Sequence, residues 1–182
     1  RRDNGIKSSN DYMEELSWLL FLKIFESMED EMITLKKDYK PIIKEKFRWS
    51  KWSVKNWIGQ PKEALGDYLS KEDVDTLFES KGKIKAVLEK QELALIYFVK
   101  EILFPYIRNV SGTPQKDKIA KMFSGISPKI QSPYNLLDII AKFKDIHPDN
   151  YEDSHILSQY YEELLQNLGA EAGWGGEFYT PR

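Results

Sequence analysis

The residues best suited to chemistry lie at the end of the chain, in the stretch Trp-Gly-Gly-Glu-Phe-Tyr-Thr-Pro-Arg at 174–182. The glycine pair at 175–176 interrupts any preceding helix, because glycine loses more backbone freedom on folding than other residues. Thr180 and Pro181 then form a helix-start signature, since threonine caps free backbone N–H groups and proline fits the first turn. A helix start of this kind suits an anion, and the Arg182 guanidinium adds donors that suit a carboxylate. The alternative is an ordinary glycine-rich linker that leads into any helix.

Residues 36–57, called the basic segment below, are a second candidate for function. Eight basic residues stand against two acidic ones, a local charge of +6 in a chain whose net charge is −2. Lysine and arginine neutralise phosphates and aromatic rings stack on bases, so the mixture predicts contact with a nucleic acid. The alternative is a solvated loop that is anchored by the buried tryptophans Trp49, Trp52 and Trp57. The candidate DNA-binding residues are Lys44, Lys46, Arg48, Lys51 and Lys55.

Other patterns of catalytic or metal-binding residues are missing from the sequence. The absence of cysteine excludes a disulfide, a thiolate zinc site and a cysteine nucleophile, and it fits a reducing cytoplasm. His147 and His155 lack companion ligands at metal-binding spacing, and Glu162 and Glu163 point to different faces of a helix. No apolar run reaches the ~18 residues that a membrane span needs. We therefore expect no catalytic residue, no metal site and no membrane partner.

Helical periodicity predicts the elements that position these residues. The first helix is predicted from Asp11 to Tyr39, with Ser8 among the candidate N-caps. Its apolar run from Leu16 to Phe25 is typical of the central helix of a bundle. The acidic residues beyond that run are expected to face water: Glu26, Glu29, Asp30 and Glu31.

Proline and glycine mark the boundaries of the later helices. Pro61 and Pro114 suit first helical turns, and Pro105 is expected to bend or end a helix that resumes at Leu93. Further helices are predicted over residues 134–143 and 152–168. No stretch alternates with period two, so the predicted class is all-α, a multi-helix bundle.

Four blocks of the chain resemble the modification subunits of type I restriction–modification systems. The blocks are Glu-Leu-Ser-Trp-Leu-Leu-Phe-Leu-Lys-Ile-Phe at 15–25, Leu-Phe-Pro-Tyr-Ile-Arg at 103–108, Tyr-Glu-Glu-Leu-Leu at 161–165 and Gly-Glu-Phe-Tyr-Thr-Pro-Arg at 176–182. Members of that family are S-adenosylmethionine-dependent DNA methyltransferases that act on the N6 amino group of adenine. The resemblance implies an N-terminal helical domain over residues 1–170, with a linker and the start of the α/β methyltransferase domain at 171–182.

The same resemblance implies roles for the terminal motif. In that family the motif lines the S-adenosylmethionine pocket, ahead of a glycine-rich cofactor loop and an Asn-Pro-Pro-aromatic signature that holds the adenine. Neither feature occurs in this sequence, so we expect a fragment that supplies one wall of the pocket and does not hold the cofactor alone. The implied cofactor-binding residues are Glu177, Phe178, Tyr179, Thr180, Pro181 and Arg182.

The resemblance also implies partners. Two modification subunits pair with one specificity subunit, which reads the sequence of double-stranded DNA, and the helical domains help to hold that partner and to close around the duplex. Whether a restriction subunit joins is left open. A function of another class also stays open, namely a non-enzymatic helical module that docks a partner without contacting DNA.

Overall fold

The computed structural model describes residues 5–79 and 93–145, and every regular element within these two ranges is helical. The predicted all-α class is confirmed. Among the described residues, no helix has the length and apolar character needed to span a bilayer. The first range contains α1 (Ser9–Leu35), a 3-10 turn (Glu45–Phe47), α2 (Trp49–Trp52), α3 (Pro61–Gly66) and α4 (Lys71–Glu79). The second contains α5 (Ala94–Tyr97), a π-helical stretch (Phe98–Leu103), α6 (Phe104–Arg108), α7 (Pro114–Ser124) and α8 (Pro133–Lys144).

The long helix α1 is the centre of the bundle. It begins at a capping box, in which Ser8 Oγ accepts from the Asp11 N–H and Asp11 Oδ2 accepts from the Ser8 N–H, both at 3.2 Å. Behind the cap, Trp18, Phe21 and Phe25 are buried side chains of the core. The prediction that the apolar run forms the core is confirmed.

Aromatic rings join α1 to the second half of the chain. Trp18 meets Phe104 of α6 edge-on, with 5.0 Å between ring centroids, and Phe104 in turn lies 5.3 Å from Phe123 of α7. Phe123 returns to α1 through Phe21 at 5.7 Å. Edge-to-face pairs of this kind stabilise a core by roughly 0.5–1.5 kcal/mol each beyond the burial of their area. Helices distant in sequence are thereby fixed against one surface of α1.

Pro105 does not end its helix, which continues to Arg108. Proline has no N–H, and its ring crowds the carbonyl four residues earlier in an α-helix. The π-helical stretch at Phe98–Leu103 lies directly before it, and its wider turn removes the regular α-helical contact at that point. Asn109 Nδ2 then donates to the Pro105 carbonyl at 2.7 Å. Pro105 is expected from the sequence to bend or end the helix, and the prediction that it ends the helix is wrong.

The boundaries of α7 and α8 follow local rules. Thr113 Oγ1 accepts from the Lys116 N–H at 3.2 Å and caps α7, and the turn before it uses a positive φ of 114° at Gly112. Helix α8 matches the helix predicted at 134–143. Its buried residues include Leu136, Ile139, Ile140 and Phe143, and Tyr134 is exposed. The predicted helix at 152–168, the two histidines and the boundary at residue 170 lie outside the described residues.

Candidate nucleic-acid interface

A buried carboxylate of α1 anchors the start of the basic segment. Glu29 Oε1 accepts from the Tyr39 hydroxyl at 3.0 Å and from the Ile42 N–H at 2.5 Å. Burial raises the pKa of Glu29 above its ordinary value, against the lowering effect of these donors. The expectation that Glu29 faces water is wrong, because its side chain is 1% exposed and takes its hydrogen bonds from the segment instead of from water.

Two tyrosines fix the backbone that follows. The Lys44 N–H donates to the Tyr106 hydroxyl at 2.8 Å, and the Tyr68 hydroxyl donates to the Lys46 carbonyl at 2.6 Å. Both lysines are nevertheless exposed. The main chain is therefore held against the bundle while the positively charged side chains lie on its surface.

The aromatic residues of the basic segment face the opposite way, into the core. Phe47 stacks on Tyr106 with 3.8 Å between ring centroids, and Trp52 and Trp57 pack around Phe98 at 5.7 and 4.9 Å. Trp49 is likewise buried. These buried rings cannot stack on bases, so that part of the interpretation is wrong, and the tryptophans anchor the segment as the alternative expects. Contact of the exposed lysines with DNA stays a prediction.

Two of the five candidate cations are half-buried and paired with carboxylates of the protein. Arg48 donates to the Glu26 carbonyl at 3.3 Å, lies 3.4 Å from Glu26 Oε1 and pairs with the Asp30 carboxylate. Lys55 pairs with Asp67. Because both cations already have carboxylate partners, they are the least available of the candidates for a phosphate.

The other three candidates, Lys44, Lys46 and Lys51, are exposed. Lys51 lies 3.4 Å from Glu45, with both side chains more than half exposed, and such a solvated pair contributes little energy. Within the described part of the chain, neither Lys44 nor Lys46 forms an ion pair. Their charge remains available to a polyanion.

Sequence reasoning missed the glutamates that position the irregular segments. Glu15, with no exposed surface, accepts from Trp18 Nε1 at 3.1 Å and from the Lys129 N–H. Burial raises its pKa to about 7. The spacing of the sequence could have identified both glutamates. Glu15 and Glu29 lie three or four residues from core positions of α1, which places them on its buried face.

The residues implied to bind the cofactor, Glu177 to Arg182, lie outside the described residues, so the structure does not place them. Among the side chains that are described, no group of histidine, aspartate and glutamate residues could hold a metal ion.

Known proteins resemble this chain along its whole length, although no protein-family model matches it. The methylase subunit of the type I restriction enzyme EcoEI from Escherichia coli is 27% identical over 186 residues, which cover 100% of this chain and 31% of that protein. A structure from work on complex assembly and conformational transition of the type I restriction–modification system is 33% identical, with a TM-score of 0.62, and the match covers 30% of it. A modification subunit of a type I restriction enzyme from Vibrio vulnificus YJ016, known from a crystal structure, is 28% identical with a TM-score of 0.61 over 35% of its length.

The chain thus spans about a third of the length of the relatives it matches. All of its residues are covered in each comparison, so the similarity includes the helical core and is not limited to one motif. The resemblance to the modification subunits of type I restriction–modification systems, which the four sequence blocks indicate, is confirmed over the full length of this chain.

Proposed function

We propose that this chain is the N-terminal helical domain of a type I modification subunit. The complete subunit transfers a methyl group from S-adenosylmethionine to adenine N6 in double-stranded DNA. The observation that carries the proposal is the similarity of the whole chain to a solved type I restriction–modification structure, at 33% identity and a TM-score of 0.62.

The domain supports assembly with a specificity subunit and a second modification subunit, and with a restriction subunit in complexes that also cleave. It contacts DNA through the exposed lysines of the basic segment, Lys44, Lys46 and Lys51. The main chain of Lys44 and Lys46 is already fixed by hydrogen bonds to Tyr106 and Tyr68, so less backbone freedom is lost when the segment meets DNA. Phosphate contacts position a protein without reading bases, which suits a subunit whose partner supplies the specificity.

The terminal motif contributes one wall of the cofactor pocket. S-adenosylmethionine supplies the methyl group. Thr180 and Pro181, whose residue types favour a helix start, and the Arg182 guanidinium bind its carboxylate, while Phe178 and Tyr179 cover its apolar side. Alanine at Thr180 or Arg182 in the complete subunit should weaken cofactor binding measured by calorimetry. Unchanged affinity in either variant would contradict this assignment.

Methyl transfer by the assembled complex tests the proposed function. The complete subunit is co-expressed with its specificity subunit and incubated with S-adenosylmethionine that carries a labelled methyl group and with duplex DNA that contains the target. Mass spectrometry of the digested DNA should find the label in N6-methyladenine. A label in another base, or none in DNA despite an assembled complex, would contradict the proposal.

Reversal of charge in the basic segment separates DNA contact from a purely assembling role. Lys44→Glu, Lys46→Glu and Lys51→Glu together should weaken DNA binding while the complex still elutes intact from a sizing column. Loss of assembly with unchanged DNA affinity of the remaining complex would favour an interaction module that does not touch DNA.

A further inference from the structure

The side chain of Tyr106 meets the basic segment at Lys44 and Phe47. The Lys44 N–H donates to the Tyr106 hydroxyl at 2.8 Å, and the Tyr106 ring stacks on the Phe47 ring with 3.8 Å between centroids. The Lys46 ammonium lies 5.4 Å from the centroid of the same Phe47 ring. Tyr106 is partly exposed, and both lysines are exposed. The two lysines and the tyrosine therefore share one part of the surface.

The Tyr106 hydroxyl has a proton that the described part of the protein does not use. A tyrosine hydroxyl accepts hydrogen bonds and donates one of its own. Here the oxygen accepts from the Lys44 N–H, and within the described residues the hydroxyl proton has no acceptor. Burial raises the pKa of Tyr106 above its ordinary value, so the hydroxyl stays protonated at neutral pH. It is therefore an available donor beside an exposed lysine.

Tyr68 differs from Tyr106 in the direction of its hydrogen bond. The Tyr68 hydroxyl donates to the Lys46 carbonyl at 2.6 Å, so its proton is used within the protein. The Tyr68 ring also packs against Phe47, with 5.4 Å between centroids. Both tyrosines thus hold the basic segment through one hydroxyl and one ring, and of the two only the Tyr106 hydroxyl retains a proton for a ligand.

Two acids oppose an anion at this place, and both are engaged by other groups. Glu29, whose charge contributes to the raised pKa of Tyr106, is buried and accepts from two donors of the basic segment. Glu45, between the two lysines in sequence, lies 3.4 Å from Lys51. Among the described side chains, neither carboxylate accepts from the Tyr106 hydroxyl. Since exposed lysines attract anions, the acceptor that they favour for this proton is an oxyanion.

We propose that the Tyr106 hydroxyl donates to an oxygen of the DNA phosphate whose charge Lys44 neutralises. The proposal rests on the proposed function, because it adds a neutral donor to a surface that is already proposed to meet DNA. Tyrosine hydroxyls are among the groups that contact phosphates in protein–DNA complexes, and such contacts position the duplex without reading bases. Because a hydroxyl carries no charge, this contact adds affinity without adding to the salt slope.

The test pairs protein variants with DNA variants in the complete complex with its specificity subunit. Target duplexes are made in a series, each with one phosphate replaced by a methylphosphonate, which is uncharged and lacks one phosphate oxygen. Affinities for the series are measured for the wild type, Tyr106→Phe, Lys44→Ala and the matched control Tyr68→Phe. Both phenylalanine variants keep the ring beside Phe47 and lose one hydrogen bond to the backbone of the basic segment.

We expect Tyr106→Phe to weaken binding of the unmodified duplex by about tenfold or more and to keep the wild-type salt slope. Tyr68→Phe should weaken binding less. At one phosphate, the methylphosphonate should weaken binding by the wild type, and its effect on Tyr106→Phe and on Lys44→Ala should be smaller by about threefold or more, because the contact is already lost. In Tyr68→Phe, every methylphosphonate should have its wild-type effect.

Equal losses of affinity in the two phenylalanine variants, with every methylphosphonate acting as it does on the wild type, would overturn the Tyr106 contact, since both hydroxyls would then only hold the backbone. If Lys44→Ala reduces the effect of one methylphosphonate and Tyr106→Phe does not, the Tyr106 contact is wrong and the proposed contact of Lys44 with DNA stands. If neither variant does so, both contacts are wrong. If Tyr106→Phe acts at a phosphate that Lys44→Ala does not affect, the shared phosphate is wrong.

Discussion

Two irregular segments lie along α1, and a buried glutamate of that helix anchors each of them. Near the C-terminal end of α1, Glu29 accepts from the backbone of the basic segment at Ile42. Near the N-terminal end, Glu15 accepts from the backbone of the loop at 125–132, at Lys129. The two glutamates are fourteen residues apart, close to four helical turns, so they share one face of α1.

The two anchored segments differ in what neutralises their lysines. The Lys129 ammonium lies 2.7 Å from Asp11 and 2.9 Å from Glu14, so its charge is balanced within the protein. Lys44 and Lys46 of the basic segment have no such carboxylates among the described residues. The anchoring device is therefore common to both segments, and the uncompensated surface charge marks the one that suits a polyanion.

The largest expected effect on stability comes from replacing Trp52, because this residue belongs to the buried side of the basic segment and not to its charged surface. Trp52→Ala should lower the free energy of unfolding by about 3–5 kcal/mol, because it removes a fully buried ring beside Phe98. Val54→Ala in the same segment should change it by less than about 0.5 kcal/mol, since Val54 is 64% exposed. Chemical denaturation measures both. A stable Trp52→Ala protein with impaired DNA binding would contradict the core role of this ring.

The anchor at Glu15 predicts a pH dependence of stability. Its folded-state pKa of about 7 is above the ordinary value of 4.5. The unfolded chain therefore releases this proton at lower pH than the folded protein, and stability should fall as pH rises through that window. The full shift corresponds to about 3 kcal/mol as an upper limit. Denaturation at pH 5 and pH 8 should show the loss.

Glu15→Gln removes this titration and keeps an acceptor for the Lys129 N–H. The variant should lose less stability than the wild type between the two pH values. Some dependence should remain, because burial raises the pKa of Glu29 in the same direction. The same pH dependence in Glu15→Gln and the wild type would show that Glu15 does not titrate in this range.

Replacing Arg48 should have a smaller effect on stability. It tests whether a cation that is paired within the protein also contacts DNA. Arg48→Ala leaves the Glu26 and Asp30 carboxylates without their guanidinium, and it should cost about 1–3 kcal/mol of unfolding free energy. The salt slope of DNA binding by the complete complex should not change. A slope lowered by about one unit at unchanged stability would instead make Arg48 a phosphate contact.

Local patterns were enough to predict the regular parts of the fold. The N-cap candidate Ser8 and the first-turn proline Pro114 each act within one turn of chain, so the sequence reveals them directly. The continuous apolar run of α1 likewise identifies the core without knowledge of its partners. These elements appear in the structure close to where the patterns predict them.

Contacts between distant residues decided what the sequence could not predict. From the sequence alone, Glu29 is expected at the surface. It is buried because the Ile42 N–H, thirteen residues later, donates to it. From the sequence alone, Arg48 is expected to be an unpaired cation. The path of the basic segment places it beside Glu26 and Asp30, which pair with it. The continuation of the helix through Pro105 depends on a π-helical stretch that no residue type signals.

The exposed lysines of the basic segment are proposed to meet DNA, whereas Lys129, whose segment is anchored in the same way, is not. The most direct test compares Lys44→Ala, Lys46→Ala, Lys51→Ala and Lys129→Ala, one at a time, in the complete complex with its specificity subunit, by DNA affinity against salt. Each variant of the basic segment should lower the salt slope by about one unit and weaken binding equally on target and unrelated duplexes, and Lys129→Ala should leave the slope unchanged. Unchanged slopes for all three segment variants, or an equal reduction in Lys129→Ala, would contradict the claim.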